Sequence, residues 1–341
     1  MAAFVDTANQ DYAVVIGIEK YRDKRFQKLD GARNDAKNFV RWLKRRYANA
    51  RFERDDHIIT RMSWADLSDV TSAFAELLDK APNGGRRLYI FISGHGFGQT
   101  VHDACVYCSD YSDLTDPACC NITHTANCLK FAGRFREVIV FIDCCRHYNT
   151  SLQPRAILKG GEQVGRPAAH FYLMSCDLGE ASEEWKIAGE YTGVFSFNLV
   201  RALNGKEETA VDGQGNVTAH SLVRHVRRRV PATMHPHFDP PDDDVLRNLV
   251  FAEGFEANPD VFYIKFTQPD STFSLFSGQT EKGFPRLEWK SERASADGRR
   301  VRVYRQNEEA VIVTVPALDT FNSPASCRHR LVQPFEAEIE I

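Results

Sequence analysis

Four stretches of this chain are nearly continuous apolar runs: YAVVIGI at 12–18, RLYIFIS at 87–93, EVIVFID at 137–143 and AHFYLMS at 169–175. A strand with one wet face alternates polar and apolar residues, so a strand apolar on both sides needs cover on both faces. Segments of helical period lie between the runs. Residues 34–46 place Phe39, Val40 and Leu43 on one stripe, and Leu67, Val70, Phe74, Leu77 and Leu78 do the same for a helix over about 64–80. The alternation predicts an α/β fold with a mainly parallel sheet and helices on both faces.

Further along, a second helical pair fits 192–204 and 219–230 and is joined by VDGQGNVT. That linker has some of the acids and amides of a calcium loop but lacks the closing acidic residue, so it reads as a turn. The helical signal fades after the Pro-rich stretch from Pro231 to Asp244. From about 258 onward VFYIKF, TFSLFSG, RLEWKS, RVRVYRQ, AVIVTVP and FEAEIEI follow, each bounded by turn residues. Six short alternating strands predict a small C-terminal antiparallel β-sandwich. The expected domains are 1–256 and 257–341.

At 341 residues and 43% hydrophobic content the chain can bury a full core, and its formal charge of −3 offers no field for nucleic acid. The basic run from Arg224 to Arg229 reads as a solvated helix face. The opening MAAFVDTANQDY lacks the pattern of a signal peptide, and no run of about eighteen apolar residues occurs, so a cytoplasmic protein without membrane partners is expected. Nine cysteines, with adjacent pairs at Cys119-Cys120 and Cys144-Cys145, suit free thiols better than a disulfide framework.

Two of the predicted strands run into reactive residues. RLYIFIS leads to Ser93-Gly94-His95-Gly96, and EVIVFID leads to Asp143-Cys144-Cys145-Arg146. Reactive groups of open parallel sheets collect at the carboxyl ends of strands, so neighbouring strands would bring His95 and a cysteine together. A thiol beside an imidazole suits nucleophilic acyl transfer, because an adjacent imidazolium favours the attacking thiolate. The N–H groups of Gly96 and Cys145 are the candidate oxyanion donors.

With these motifs, and with YAVVIGIEKYRD, LDGARNDAKNFVRWL, FISGHG, FIDCCR, SCDLGEASEEW and GVFSFNLVRAL in order, the chain resembles the caspase-like cysteine peptidases, especially their bacterial and metacaspase branches. The resemblance spans about 240 residues. It implies a mainly parallel six-stranded sheet and cleavage of proteins by a His95 and Cys145 dyad. The family pattern Asp-x-Cys puts the nucleophile on Cys145 and leaves Cys144 to packing. Metacaspases cut after Arg or Lys, using pocket acids that match Asp35 and Asp143 here, with Asp177 as a further candidate. Two carboxylates repel an Asp side chain and suit a guanidinium, which predicts Arg first and Lys second.

Metacaspases often need calcium, but no matching acidic cluster stands here. Asp110, Asp113 and Asp116 read as a solvated loop, and no cofactor is expected. Cys105-x-x-Cys108, with Cys119, Cys120, Cys128, His102 and His124, suggests zinc, yet residues three apart in a strand face opposite ways. His147 reads as a loop histidine. Family members are often switched on by cleavage after the nucleophile, and 149–168 carries Arg155, Lys159 and Arg166 as candidate sites. The expected partners are protein substrates with basic cleavage sites and an upstream activating protease or sensor, in a stress, cell-death or antiviral defence pathway. The C-terminal domain is expected to recruit, inhibit or attach. Three competing readings are an Asp-specific protease, a catalytically silent adaptor and a zinc-dependent binding module built on the 102–128 cluster.

Overall fold

A computed structural model describes residues 10–46, 57–113, 117–158, 167–187, 189–212, 214–239 and 249–255, and beyond them the backbone of strands between 261 and 338. In chain order the elements begin with β1 (Asp11–Ile18), α1 (Ala32–Arg46), β2 (Ile58–Ser63), α2 (Leu67–Lys80), β3 (Gly85–Ser93), β4 (Gly96–Gly98), β5 (Cys105–Tyr107) and β6 (Cys119–Asn121). There follow α3 (Ile122–Phe131), β7 (Phe135–Asp143), β8 (His147–Tyr148), β9 (Ala169–Met174), β10 (Glu184–Ile187) and β11 (Glu190–Gly193). The series continues with α4 (Val194–Leu203), β12 (Val217–Thr218), α5 (Ala219–Arg229), β13 (His237–Asp239) and β14 (Val250–Ala252).

The main sheet has six strands in the order β13-β9-β7-β3-β1-β2. Every neighbouring pair is parallel except β13 with β9. Period-two alternation sends Leu88, Ile90 and Ile92 of β3 and Val138, Val140 and Ile142 of β7 into a core with Val70, Phe74 and Leu77 of α2 and Ile122, Ala126 and Leu129 of α3. On the other face Phe39 of α1 stacks on Phe91 with ring centroids 4.6 Å apart and meets Phe141 edge-on. Trp42 of α1 donates to the Leu203 carbonyl at 2.9 Å, fastening α1 to α4. The entry to α2 is fixed by a capping box between Asp66 and Asp69.

Strands β2 and β13 have no counterpart among the four apolar runs. IITRMS lies at a sheet edge and is half exposed beyond its first two residues, and β13 is three residues long, so neither needs a continuous apolar run.

By compactness the chain divides into residues 1–206 with 222–249, and residues 207–221 with 250–341. Within the second unit β12 pairs antiparallel with β14. Asp212 closes the turn before β12, its Oδ1 accepting from the amides of Gln214 at 2.8 Å and Asn216 at 3.0 Å. Two four-stranded sheets follow. One joins 261–268, 272–277, 286–287 and 326–330, all antiparallel. The other joins 289–295, 298–304 and 310–316 to 336–338, and there Ile312–Thr314 runs parallel to Glu336–Glu338, a departure from the wholly antiparallel expectation. Strand 326–330, SCRHR, lacks the apolar alternation that marks its neighbours. The expected boundary at 256/257 lies outside the described residues.

Candidate active site

The parallel register of β3 and β7 sets Ser93 beside Asp143, so the two strands end side by side. Two residues on, His95 and Cys145 line one cavity with Asp35, Asp143, Ser182, Glu183, Glu184 and Gly193. Tyr21 fixes His95: its hydroxyl accepts from the His95 amide at 2.8 Å, and its ring lies 4.9 Å from the imidazole. Phe26 packs on the imidazole at 5.2 Å. The Gln27 carbonyl, 2.8 Å from His95 Nε2, requires the proton on that nitrogen and leaves Nδ1 as the base. Burial holds the His95 pKa below its ordinary value, against the opposing Gln27 contact.

Cys145 Sγ is engaged by Ser182, whose amide donates to it at 3.4 Å and whose carbonyl lies 3.8 Å away. Burial raises the thiol pKa, opposed by the Ser182 contact and reinforced by the charge of Asp143. Burial thus pushes both the imidazole and the thiol toward their neutral forms. An imidazole in that state can serve a thiol as a general base. Cys144 is 2% exposed, with its carbonyl accepting from Ser175 Oγ at 3.1 Å, and burial pushes its thiol well up.

Parity along β3 and β7 points Ser93 and Asp143 to the side where α1 packs. Asp35, in the first turn of α1, accepts from Ser93 Oγ at 3.1 Å, Thr192 Oγ1 at 2.5 Å and the Gly193 amide at 3.0 Å. Asp143 accepts from Ser182 Oγ at 2.6 Å and from the amide and hydroxyl of Ser196 at 3.1 and 2.6 Å. A Cβ on Gly193 would lie 2.2 Å from Asp143 Oδ2 and 3.1 Å from Asp35 Oδ2, so glycine lets the two carboxylates converge. Burial raises the pKa of both, and the charge of Asp143 raises Asp35 further. Glu184 joins them, its Oε1 accepting from the Gly31 amide at 3.1 Å, and it too is raised by burial and then by Asp143. None of the described residues lining the cavity is Lys or Arg.

The caspase domain family matches residues 10–259, most of the chain. The chain belongs to the caspase domain family. Two solved structures resemble this caspase-family protein. A protein of Geobacter sulfurreducens aligns at 18% identity over 70% of this chain and 96% of its own, with a TM-score of 0.46. Caspase-1 of Spodoptera frugiperda aligns at 13% identity over 74% of this chain and 92% of its own, also with a TM-score of 0.46. No curated protein matches. The family membership supports a cysteine peptidase of the caspase and metacaspase kind.

Other residues singled out in this caspase-family sequence lie elsewhere. Asp177 is not among the cavity-lining residues; its Oδ1 sits 2.7 Å from His237 Nδ1. Gly96 opens β4 behind the site, where a Cβ would meet the Cys105 carbonyl and Cys144 Sγ at 2.6 Å. His147 is exposed in β8, which pairs with β4. The backbone of Arg155 is tied to the 119–121 strand, its amide donating to the Cys119 carbonyl at 2.7 Å and its carbonyl accepting from Asn121 at 3.3 Å. Lys159, Arg166 and Asp116 lie outside the described residues. Asp110 Oδ1 accepts from the Leu67 amide at 3.0 Å, and Asp113 pairs with Arg25.

Among the described residues no group of three or more His, Cys, Asp or Glu is placed to hold a metal ion. Cys105, Cys108, Cys119 and Cys120 are fully buried core thiols, with Cys108 Sγ 4.0 Å from Cys120 Sγ. Cys128 Sγ lies 3.7 Å from His124 Nδ1. No described helix is long and apolar enough to cross a membrane.

Glu184, Ser182, Ser196 and Gly193 are site residues that pattern reading did not single out. Their signal was present, since SCDLGEASEEW and GVFSFNLVRAL carry them, but only the path of the β10–β11 hairpin brings them to the strand ends.

Proposed function

We propose that this chain is an endopeptidase that cleaves proteins after Arg, and after Lys second, with Cys145 as nucleophile and His95 as its base. The observation that carries the specificity is the convergence of Asp35, Asp143 and Glu184 in a cavity whose described lining holds no cation. All three carboxyl groups resist ionisation there, so an arriving guanidinium supplies the missing positive charge and donates hydrogen bonds to them. An Asp side chain would bring a further carboxylate into a cavity that already resists ionising three. In the reaction His95 Nδ1 takes the thiol proton and Sγ attacks the scissile carbonyl, with the backbone N–H of Cys145 as oxyanion donor; the C–N bond then breaks as His95 returns the proton to the leaving amine, and water hydrolyses the resulting thioester. Activation by a cut within 149–168, at Arg155, Lys159 or Arg166, belongs to the same reading. So do cytoplasmic protein substrates with basic sites and an upstream protease or sensor.

Matched fluorogenic peptides ending in Arg, Lys or Asp test the reading beside Cys145→Ala and Cys144→Ala. The expected outcome is Arg turnover that is abolished by Cys145→Ala and survives Cys144→Ala. Preferential turnover of the Asp peptide, or activity that persists in Cys145→Ala, refutes it.

A further inference from the structure

The three acids of the cavity are unequally placed to meet a ligand. Asp35 is 1% exposed and Asp143 5% exposed, and the protein's own donors already surround both. Asp35 accepts from Ser93 Oγ, Thr192 Oγ1 and the Gly193 amide. Asp143 accepts from Ser182 Oγ and from the amide and hydroxyl of Ser196. A carboxylate offers about four lone-pair sites, so at most about one stays open on each aspartate. Glu184 is different. It is only partly buried, and among the described residues its oxygens accept from backbone amides alone, those of Gly31 at 3.1 Å and of Asp30. A Cβ on Gly31 would lie 2.8 Å from Glu184 Oε1, so glycine lets this carboxyl settle on the start of α1.

The register of the β10–β11 hairpin turns Glu184 toward the same space. Glu184 pairs across the hairpin with Gly193. Directly opposed residues of an antiparallel pair share one face of the ladder, with Cβ positions about 5 Å apart. Gly193 is the residue whose amide bonds Asp35 and whose missing Cβ makes room for Asp143 Oδ2. Glu184 therefore stands beside the two aspartates with about two lone-pair sites uncommitted.

We propose that Glu184 is the specificity-determining residue that selects Arg over Lys: Asp35 and Asp143 meet the cation of either side chain, and Glu184 takes the N–H groups that a guanidinium has in excess of an ammonium. The inference rests on the reading of the cavity as the pocket for a basic side chain. An ammonium gathers three donors on one nitrogen, which the open sites of the aspartate pair serve. A guanidinium spreads five donors over a plane and leaves some unpaired unless a third acid stands beside it. Unpaired buried donors carry their full desolvation cost, so the third acid favours Arg in particular. A glutamine at 184 would keep an oxygen for the Gly31 amide, yet it would lose the charge and turn an NH2 group toward the ligand.

Binding to the full chain carrying Cys145→Ala tests this with two fluorescent peptides that differ only in having Arg or Lys before the scissile bond. The Arg peptide is expected to bind about tenfold more tightly, the scale of one hydrogen bond to a charged group. Adding Glu184→Gln should bring the two Kd values within about twofold, by weakening the Arg peptide while the Lys peptide moves about threefold or less. Retained Lys binding shows that the pocket still folds in this variant. Asp143→Asn in place of Glu184→Gln should weaken both peptides alike and keep their ratio. Equal Kd values in the parent chain, a ratio unmoved by Glu184→Gln, equal weakening of both peptides by it, or a ratio lost in Asp143→Asn overturns the proposal. If the Kd values behave as expected while the chain with Cys145 intact cleaves neither peptide, the proteolytic reading fails and the role of Glu184 stands.

Discussion

Gly193 decides sterically whether the pocket can exist. A Cβ there would enter the space held by Asp143 Oδ2, 2.2 Å away, and would also crowd Asp35. Gly193→Ala is therefore expected to push the two carboxylates apart and lower kcat/KM for an Arg peptide roughly a hundredfold, the scale on which small misplacements act. Steady-state kinetics checks it; a variant as active as the wild type would separate Gly193 from the pocket. The raised carboxyl groups make a second, independent prediction. Asp143 and Asp35 stay protonated in the folded chain above the pH at which an unfolded aspartate ionises, about 3.9. The folded state thus binds more protons in that window, and stability falls as pH rises through it, by at most about 1.4 kcal/mol per pH unit for each group. Asp143→Asn should flatten the slope and gain stability relative to the wild type toward neutral pH, which urea unfolding at a series of pH values measures. A slope unchanged by the substitution would mean that Asp143 is ionised in the folded protein. That His95, Cys145, Asp35 and Asp143 meet in one cavity was legible in the sequence because each sits within two residues of a strand end or in a first helical turn. The directions in which burial pushes the His95 and Cys145 pKa values were not, because that burial is supplied by distant segments.

At the scale of elements, the stripe on α1 was legible and its depth was not. Phe39 and Leu43 are fully buried, but Val40, on the same expected stripe, is only partly covered. Phe39 fills the space between α1 and the sheet, stacked on Phe91 and edge-on to Phe141. Phe39→Ala is expected to cost about 3–5 kcal/mol, whereas Val40→Ala should cost well under half of that. The loss should also reach the site, since Asp35 lies one turn before Phe39 on the same helix. Urea midpoints together with KM for the Arg peptide check both parts, and equal costs at 39 and 40 would contradict the packing of α1 described above. Apolar runs revealed the four interior strands because burial on both faces writes itself into consecutive residues. Edge strands such as β2 and β13 carry a weaker mark, and the β10–β11 hairpin, with Trp185 46% exposed and Tyr191 43% exposed, carries a pattern that gives no hint of its place beside the cavity of Cys145.

For the molecule as a whole, the distribution of site residues says which part of the chain the chemistry requires. Every described residue lining the cavity lies between Leu29 and Gly193, inside the first compact unit. A chain ending at residue 255 keeps all of them and also keeps β14, whose Val250 and Ala252 pair with Thr218 and Val217. Its kcat/KM for a small Arg peptide is expected to stay within about twofold of the full chain, because the described lining of the cavity is kept whole. A chain ending at residue 249 loses β14 and with it Phe251 and Ala252, both buried, so its unfolding free energy should drop by about 3–5 kcal/mol, the cost of losing a core aromatic. The two lengths, compared by thermal unfolding and peptide turnover, separate support of the fold from participation in catalysis. A folded 255-residue chain that no longer cleaves the peptide would show that the strands beyond 260 take part in the reaction, and the site drawn from the first unit alone would then be incomplete.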